Sequence, residues 1–342
     1  GAGTKAETPH FDALAQAGVR FDQASAAAPL TLVSHATILS GLWPPHHGLR
    51  QNGAGRWDAA KTTLASHLAA RGYQTAAFAS AFVLDRRFGL DHGFELYDVE
   101  IPRAEGARPA LEAERRGDAT VDQAIRWLTE TRRGDGDGDA NNSKNRPFFL
   151  WVHLYDPHAP YTPPSPYRER FAGREYEGEV AFVDAQLGRL LAALEQAGVA
   201  RSTAVAVTAD HGEGLGEHGE STHGLLLYES TLAVPLVIRA PGIPAGSKLA
   251  TPTSLADLAP TLAGLVGHPF SAEMDGKDLS EALQRGGEPP PRDVYAETRY
   301  PEIFGWSPLS ALRRRQMKYI ESSSPELYDL ANDSNETKNL AA

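Results

Sequence analysis

Asp210 and His211 stand side by side just beyond a short apolar run, Ala204 to Thr208, and Gly212 follows them. Open α/β sheets place their ligands at the carboxyl ends of strands, so adjacent oxygen and nitrogen donors there are candidate metal ligands. A mixed carboxylate and imidazole shell suits Mn²⁺ or Zn²⁺ better than Ca²⁺, which prefers oxygen alone. An isolated Asp-His-Gly is more often a plain turn. Thr31 invites two readings as well. It is a good helix N-cap, and a nucleophile at the same helix terminus would share the favourable dipole with an anionic substrate. His158 and His223 could move protons near neutral pH, although single histidines in a chain with 12 are usually surface or structural residues. Asn52, before Gly53, has the bland reading of a turn asparagine.

These groups need a scaffold, and 342 residues with 41% hydrophobic and 23% charged side chains suffice for one large core plus a small appendage. Lys61 to Arg71 reads as a helix and Tyr73 to Phe82 as a strand. A second helix starts near Asp118, with Val121, Ile125 and Leu128 on one face. Phe148 to His153 is an apolar strand, and a long helix from about Glu177 to Gln196 ends at Gly198. Ala204 to Thr208 and Val234 to Ile238 are further strands, after which Pro/Gly-rich turns dominate. Met317 to Glu321 and Leu327 to Leu330 read as strands of a small antiparallel subdomain. Helices alternating with short β-branched runs imply an α/β fold with a parallel sheet. Asp135, Asp137 and Asp139 alternate like a calcium loop, but Ala140 and Arg146 stand where that loop needs Gly and Glu. The segment Gly134 to Asn145 therefore reads as a solvated insertion.

The net charge of -11 opposes nucleic acid or an anionic membrane as partner, so an anionic substrate needs a locally positive site, which a metal ion could supply. The absence of cysteine excludes disulfides, thiolate ligands and cysteine nucleophiles. No apolar run approaches membrane-spanning length, and Gly1 to Glu7 does not resemble a signal peptide.

Several segments, in order, resemble landmarks of the sulfatase family in the alkaline phosphatase superfamily, including its arylsulfatase-like and phosphonate monoester hydrolase-like branches. They are Thr8 to Phe21; Ala28 to Gly41 with Pro44 to Gly48; Asp156-Pro-His-Ala-Pro-Tyr161; Thr208 to Gly219 with Thr222-His-Gly224 and Tyr228 to Pro235; and Glu326-Leu-Tyr-Asp-Leu330. The resemblance implies an α/β/α sandwich around a large mixed, mostly parallel sheet over residues 1–285, then a small α+β subdomain over 286–342. It also implies a first strand before Gly1 carrying further acidic metal ligands. One divalent ion, Mn, Zn or Ca, would be held by Asp210, His211 and Thr31, and an exported location, periplasmic or extracellular, would follow. In that family a cysteine or serine in a C-x-P-S-R pattern becomes formylglycine. This chain reads Thr31-Leu-Val-Ser-His35 there, and threonine, with its β-methyl, cannot undergo that oxidation. A secondary alcohol remains, which attacks usefully only when a metal holds it as an alkoxide. His35 replaces the family arginine.

The resemblance further assigns His158 to the substrate oxygens, His223 to the leaving group and Asn52 to substrate contact. The lysine and histidine that grip sulfate are missing from Phe78-Ala-Ser-Ala-Phe82. With Thr31, this favours a phosphodiester or phosphonate monoester over a sulfate ester. Two rivals stand beside hydrolysis: a phosphoethanolamine-type transferase, and a catalytically degenerate sulfatase-like binding module.

Overall fold

The computed structural model describes residues 6–101, 113–133 and 146–341. The Asp135 to Asp139 insertion and the segments at Gly1 and Ala342 lie outside the described residues. In chain order the first elements are α1 (Pro9–Ala17), β1 (Val19–Ser25), α2 (Thr31–Ser40), α3 (Pro44–His47), α4 (Leu64–Ala69), β2 (Gln74–Ala79) and β3 (Leu96–Asp98). Next come α5 (Gly117–Arg133), β4 (Phe148–His153), α6 (Tyr167–Arg170), α7 (Glu175–Gln196), β5 (Val205–Thr208), α8 (Glu229–Leu232) and β6 (Ala233–Arg239). Then follow β7 (Ser247–Leu249), β8 (Thr253–Ser254), α9 (Leu258–Leu265), α10 (Ser280–Arg285), β9 (Asp293–Thr298), β10 (Leu309–Arg314), β11 (Met317–Glu321) and β12 (Glu326–Asp329). The described residues form two compact units, one of 15–64 and 204–341, the other of 6–14, 65–101, 113–133 and 146–203.

The first unit holds a mixed sheet in the order β5-β6-β1-β7, with β8 also on β1. Strand β6 runs antiparallel to both β5 and β1, while β7 and β8 run parallel to β1. A bulge between Phe21 and Ala24 bends β1. The antiparallel meander β9 to β12 shares one apolar core with this sheet: Phe21, Leu236, Ile238 and Leu258 pack in the same cluster as Ala296, Ala311, Ile320 and Tyr328. Helix α2 is buried along its whole length.

In the second unit β2 pairs in parallel with β3 and β4. Phe78 and Ala124 pack with Trp127, Leu150, Val152 and Leu190, so α5 and α7 cover this sheet. The α/β class and the small antiparallel C-terminal sheet are as the sequence implied.

Local readings hold where periodicity is strong and shift where it is not. The Phe148 to His153 and Met317 to Glu321 strands keep their bounds, and α7 begins two residues earlier than expected. The 61–71 helix contracts to α4, Leu64–Ala69, and the chain then turns at Gly72, where φ is +84. The Pro/Gly-rich stretch after β6 conceals α9, which is buried on nearly all sides and so lacks the amphipathic period that marks a helix.

Lys318 of β11 lies 2% exposed between two carboxylates, at 2.9 Å from Glu229 Oε1 and 2.8 Å from Glu336 Oε1. Arg313 adds a second cation to Glu229. These ion pairs fasten α8 to the C-terminal sheet. Removing one partner leaves an uncompensated charge in the interior, so Lys318→Ala should cost about 3–5 kcal/mol in urea denaturation. A loss below about 1 kcal/mol, the range of exposed pairs, would show that water reaches the cluster.

Candidate active site

Helix α2 presents Thr31 as its first helical residue. The residue in the N-cap position is Leu30, and no side chain in that position bonds the helix end, so the capping reading of Thr31 is corrected. The reason is tertiary. Asn52 Oδ1, from another loop, accepts the Leu32 N–H at 2.9 Å and does the capping, which leaves the Thr31 hydroxyl for other partners. Ser34 Oγ donates to the Asp210 carbonyl at 2.5 Å and ties the same helix to the end of β5.

Beyond β5 the chain turns at Asp210-His211-Gly212. A Cβ on Gly212 would lie 2.2 Å from the Ser230 carbonyl oxygen, so only glycine fits. Its N–H donates to Thr231 O at 2.8 Å, which pins the turn to α8. The turn holds His211 with Nδ1 2.8 Å from the Gly212 carbonyl. A carbonyl can only accept, so Nδ1 carries a proton, and Nε2 is the nitrogen turned toward the candidate site. That nitrogen stands 3.4 Å from Thr31 Oγ1 and 3.4 Å from Asp210 Oδ2. The same logic applies to His35, whose Nδ1 donates to Thr31 O at 2.9 Å and lies 3.5 Å from Asp210 Oδ2. Burial pushes the His35 pKa down, against the opposing pull of Asp210.

His223 sits beside His211 with ring centroids 4.2 Å apart. Its Nδ1 is 3.0 Å from Glu213 Oε1, a buried carboxylate that the sequence reading missed. Glu213 lies two residues after His211, inside the Thr208 to Gly219 motif, and an acidic residue near paired histidines was the available signal. Burial lowers the pKa of His223, and the neighbouring His211 adds to that, while Glu213 pulls the other way.

Thr31, His35, Asn52, Asp210, His211 and His223 thus come together within the first unit. His158 belongs to the second, where its ring stacks on Tyr155 at 4.1 Å between centroids. Its Nδ1 donates to Ala159 O at 2.8 Å, and its Nε2 shares a hydrogen bond with the Tyr155 hydroxyl at 3.1 Å. Its backbone N–H donates to Glu179 Oε2, and Thr162 N–H donates to Oε1 of the same carboxylate.

An α/β scaffold that gathers a hydroxyl, a carboxylate and imidazole nitrogens at a strand's carboxyl end is that of an ester hydrolase. The sulfatase family profile matches residues 2–268. Bovine arylsulfatase K (Bos taurus) is 25% identical, covering 98% of this chain and 74% of its own length. Choline-sulfatase of Rhizobium meliloti is 26% identical over 97% and 77%. Among solved structures, the phosphonate monoester hydrolase of Agrobacterium radiobacter superposes with TM-score 0.79 at 25% identity, covering 99% of this chain and 87% of that one. A protein solved with D-glucosamine-2-N,6-O-disulfate gives TM-score 0.80 at 22% identity, covering 97% and 88%. The chain belongs to the sulfatase family, with the alkaline phosphatase-like fold, and is an ester-bond hydrolase.

Glu179 supports the His158 segment and titrates abnormally: burial, with Asp156 adding repulsion, pushes its pKa up to about 7 despite the two backbone donors. Below the ordinary carboxylate range both folded and unfolded chains carry the proton, and above about 7 neither does. Between those limits only the unfolded chain is ionised, so stability falls as pH rises. Glu179→Gln should flatten that slope in urea midpoints measured from about pH 4 to about pH 8. An unchanged slope would refute the assignment.

Proposed function

We propose that this hydrolase is metal-dependent and uses Thr31 as its nucleophile, with phosphodiesters or phosphonate monoesters preferred to sulfate esters. The observation that supports it best is Thr31 Oγ1 at 3.4 Å from Nε2 of His211, which faces Asp210 Oδ2 at the same distance. A carboxylate oxygen, a hydroxyl and an imidazole nitrogen brought this close are a donor set that a divalent ion accepts. Asp210, His211 and Thr31 would hold the divalent ion that sulfatases generally bind. Such an ion would supply Lewis acidity, lowering the pKa of the Thr31 hydroxyl and withdrawing charge from the ester oxygens.

The chain's own groups do the rest. Asn52 and Ser34 fix the first turn of α2, so that Thr31 Oγ1 is held in place before the substrate arrives. Thr31 attacks phosphorus or sulfur, the bond to the alcohol oxygen breaks, and that oxygen takes a proton as the alcohol leaves. Water then cleaves the Thr31 ester and restores the hydroxyl, so that ester and water become acid and alcohol. His223, oriented by Glu213, faces the leaving oxygen in this reading. His158 enters it through its place in the Asp156 to Tyr161 motif.

The preference for phosphorus follows from Thr31 itself. Without an aldehyde hydrate, the enzyme must release its covalent intermediate by external attack, which phosphoryl relatives with Ser or Thr nucleophiles accomplish.

The experiment compares turnover of an aryl sulfate, a phosphodiester and a phosphonate monoester by the full-length protein with Mn²⁺, Zn²⁺ or Ca²⁺, beside Thr31→Ala and Thr31→Ser. Diester or phosphonate turnover should fall at least about 10³-fold in Thr31→Ala and survive in Thr31→Ser. Dominant sulfate turnover would overturn the substrate preference, and full activity in Thr31→Ala would remove the nucleophile. Independently of activity, Asp210→Ala should abolish Mn²⁺ or Zn²⁺ binding in calorimetry, and wild-type affinity in that variant would refute the metal site.

A further inference from the structure

One segment of the first unit is bolted to the sequence neighbours of three of the candidate residues, His223, Asn52 and Thr31. Thr298 Oγ1 donates to the carbonyl of Gly224, next to His223. Gln51 Nε2, next to Asn52, donates to the carbonyl of Arg299. The Tyr300 ring packs with Ala28, Leu30 and Val33, and Leu30 directly precedes Thr31. A Cβ on Gly224 would stand 3.2 Å from the Tyr300 ring and 3.4 Å from the Leu30 side chain, so the ring closes against both walls. Arg50 forks onto Glu297 at 2.6 and 2.5 Å and fixes the strand that leads into this segment.

From Tyr300 the aromatic surface continues outward. Phe304 meets the Tyr300 ring edge-on with centroids 5.7 Å apart, and Trp306 tilts over Phe304 at 5.5 Å. Gly305, at φ +76, makes the reversal that brings the Trp306 N–H back to the Pro301 carbonyl. Yet Ile303, Phe304 and Trp306 are 60%, 54% and 61% exposed. Scattered exposed apolar residues are ordinary, whereas three together on a braced turn form a patch that water solvates poorly.

We infer that Phe304 and Trp306 form a stacking platform for the alcohol portion of the ester, and that this portion carries a ring with an apolar face, aryl or pyranose. The inference rests on the hydrolase reading of the Thr31 site. Continuity argues for the occupant: packed side chains run without a break from Leu30, which precedes the nucleophile, through Tyr300 to the exposed Phe304 and Trp306, so the part of the ester that extends toward them is the occupant inferred. Flat, rigid faces discriminate by shape. A ring covers an indole face with a single orientation and loses little rotamer freedom, while an acyclic chain must freeze several torsions to cover the same area. The anionic centre stays with the polar groups at Thr31, and the platform itself presents no charge.

The test measures kcat/KM of the metal-loaded full-length protein for ring esters and for acyclic esters with the same reacting group. The pairs are phenyl and butyl methylphosphonate, then galactose 6-sulfate and butyl sulfate. Trp306→Ala and Phe304→Ala should each lower the ring-to-acyclic ratio by about tenfold, chiefly through KM, and Trp306→Phe should restore most of it. The phenyl and galactose arms separate aryl from pyranose ligands. Benzylphosphonate and butylphosphonate, whose carbon–phosphorus bonds resist hydrolysis, give the binding readout by calorimetry. Benzylphosphonate should bind more tightly, and Trp306→Ala should erase that margin. An unchanged ratio together with an unchanged margin overturns the platform while leaving the hydrolase reading intact. A margin that Trp306→Ala erases, in a protein that turns over no ester, upholds the platform and defeats the hydrolase reading.

Discussion

Helix α2 hides its first turn from bulk solvent. It is buried along all of its length, so each amide and hydroxyl near its start must find a protein partner. Asn52 satisfies the Leu32 N–H, Ser34 reaches the Asp210 carbonyl, and His35 returns its Nδ1–H to Thr31 O. The same bonds that pay this desolvation cost fix Thr31 against His211. Positioning of the hydroxyl is therefore a by-product of burying a helix end, and the site inherits the rigidity of the core around it.

The Asp210-His211-Gly212 turn is constrained from its other side. Gly212 leaves no room for a side chain against Ser230, and its N–H is committed to Thr231, so the turn moves only if α8 moves. Helix α8 in turn carries Glu229, which Lys318 and Arg313 hold from the C-terminal sheet. Buried charge of this kind adds little net stability over apolar packing, but it is costly to break and it accepts few alternative geometries. The small antiparallel sheet thus braces the loop that bears the metal-ligand candidates, and its β9 continues into the aromatic turn at 300–306.

Tautomers give the site its polarity. His35 and His211 each spend Nδ1–H on a backbone carbonyl, and His223 aims its Nδ1 at Glu213. Nε2 of His211 is thereby turned toward Thr31 and Asp210. Backbone geometry, set within one or two residues of each ring, decides which nitrogen can take a ligand or a proton.

The sequence by itself determined the family, the α/β class, the motif positions of Asp210, His211 and His158, and the elements with strong periodicity such as α7 and β4. Those features are written in local order, as adjacent donors, apolar spacing and motif succession. Tertiary structure alone decided that Thr31 is the first helical residue and not the cap, that the Asn52 side-chain oxygen is spent on Leu32, that Glu213 orients His223, and that α9 is a helix. Thr31 and His211 are 180 positions apart, and Lys318 and Glu229 are 89 apart. No local pattern encodes such pairs. They follow from which surfaces the core forces together, and from the requirement that every polar group enclosed there find a partner.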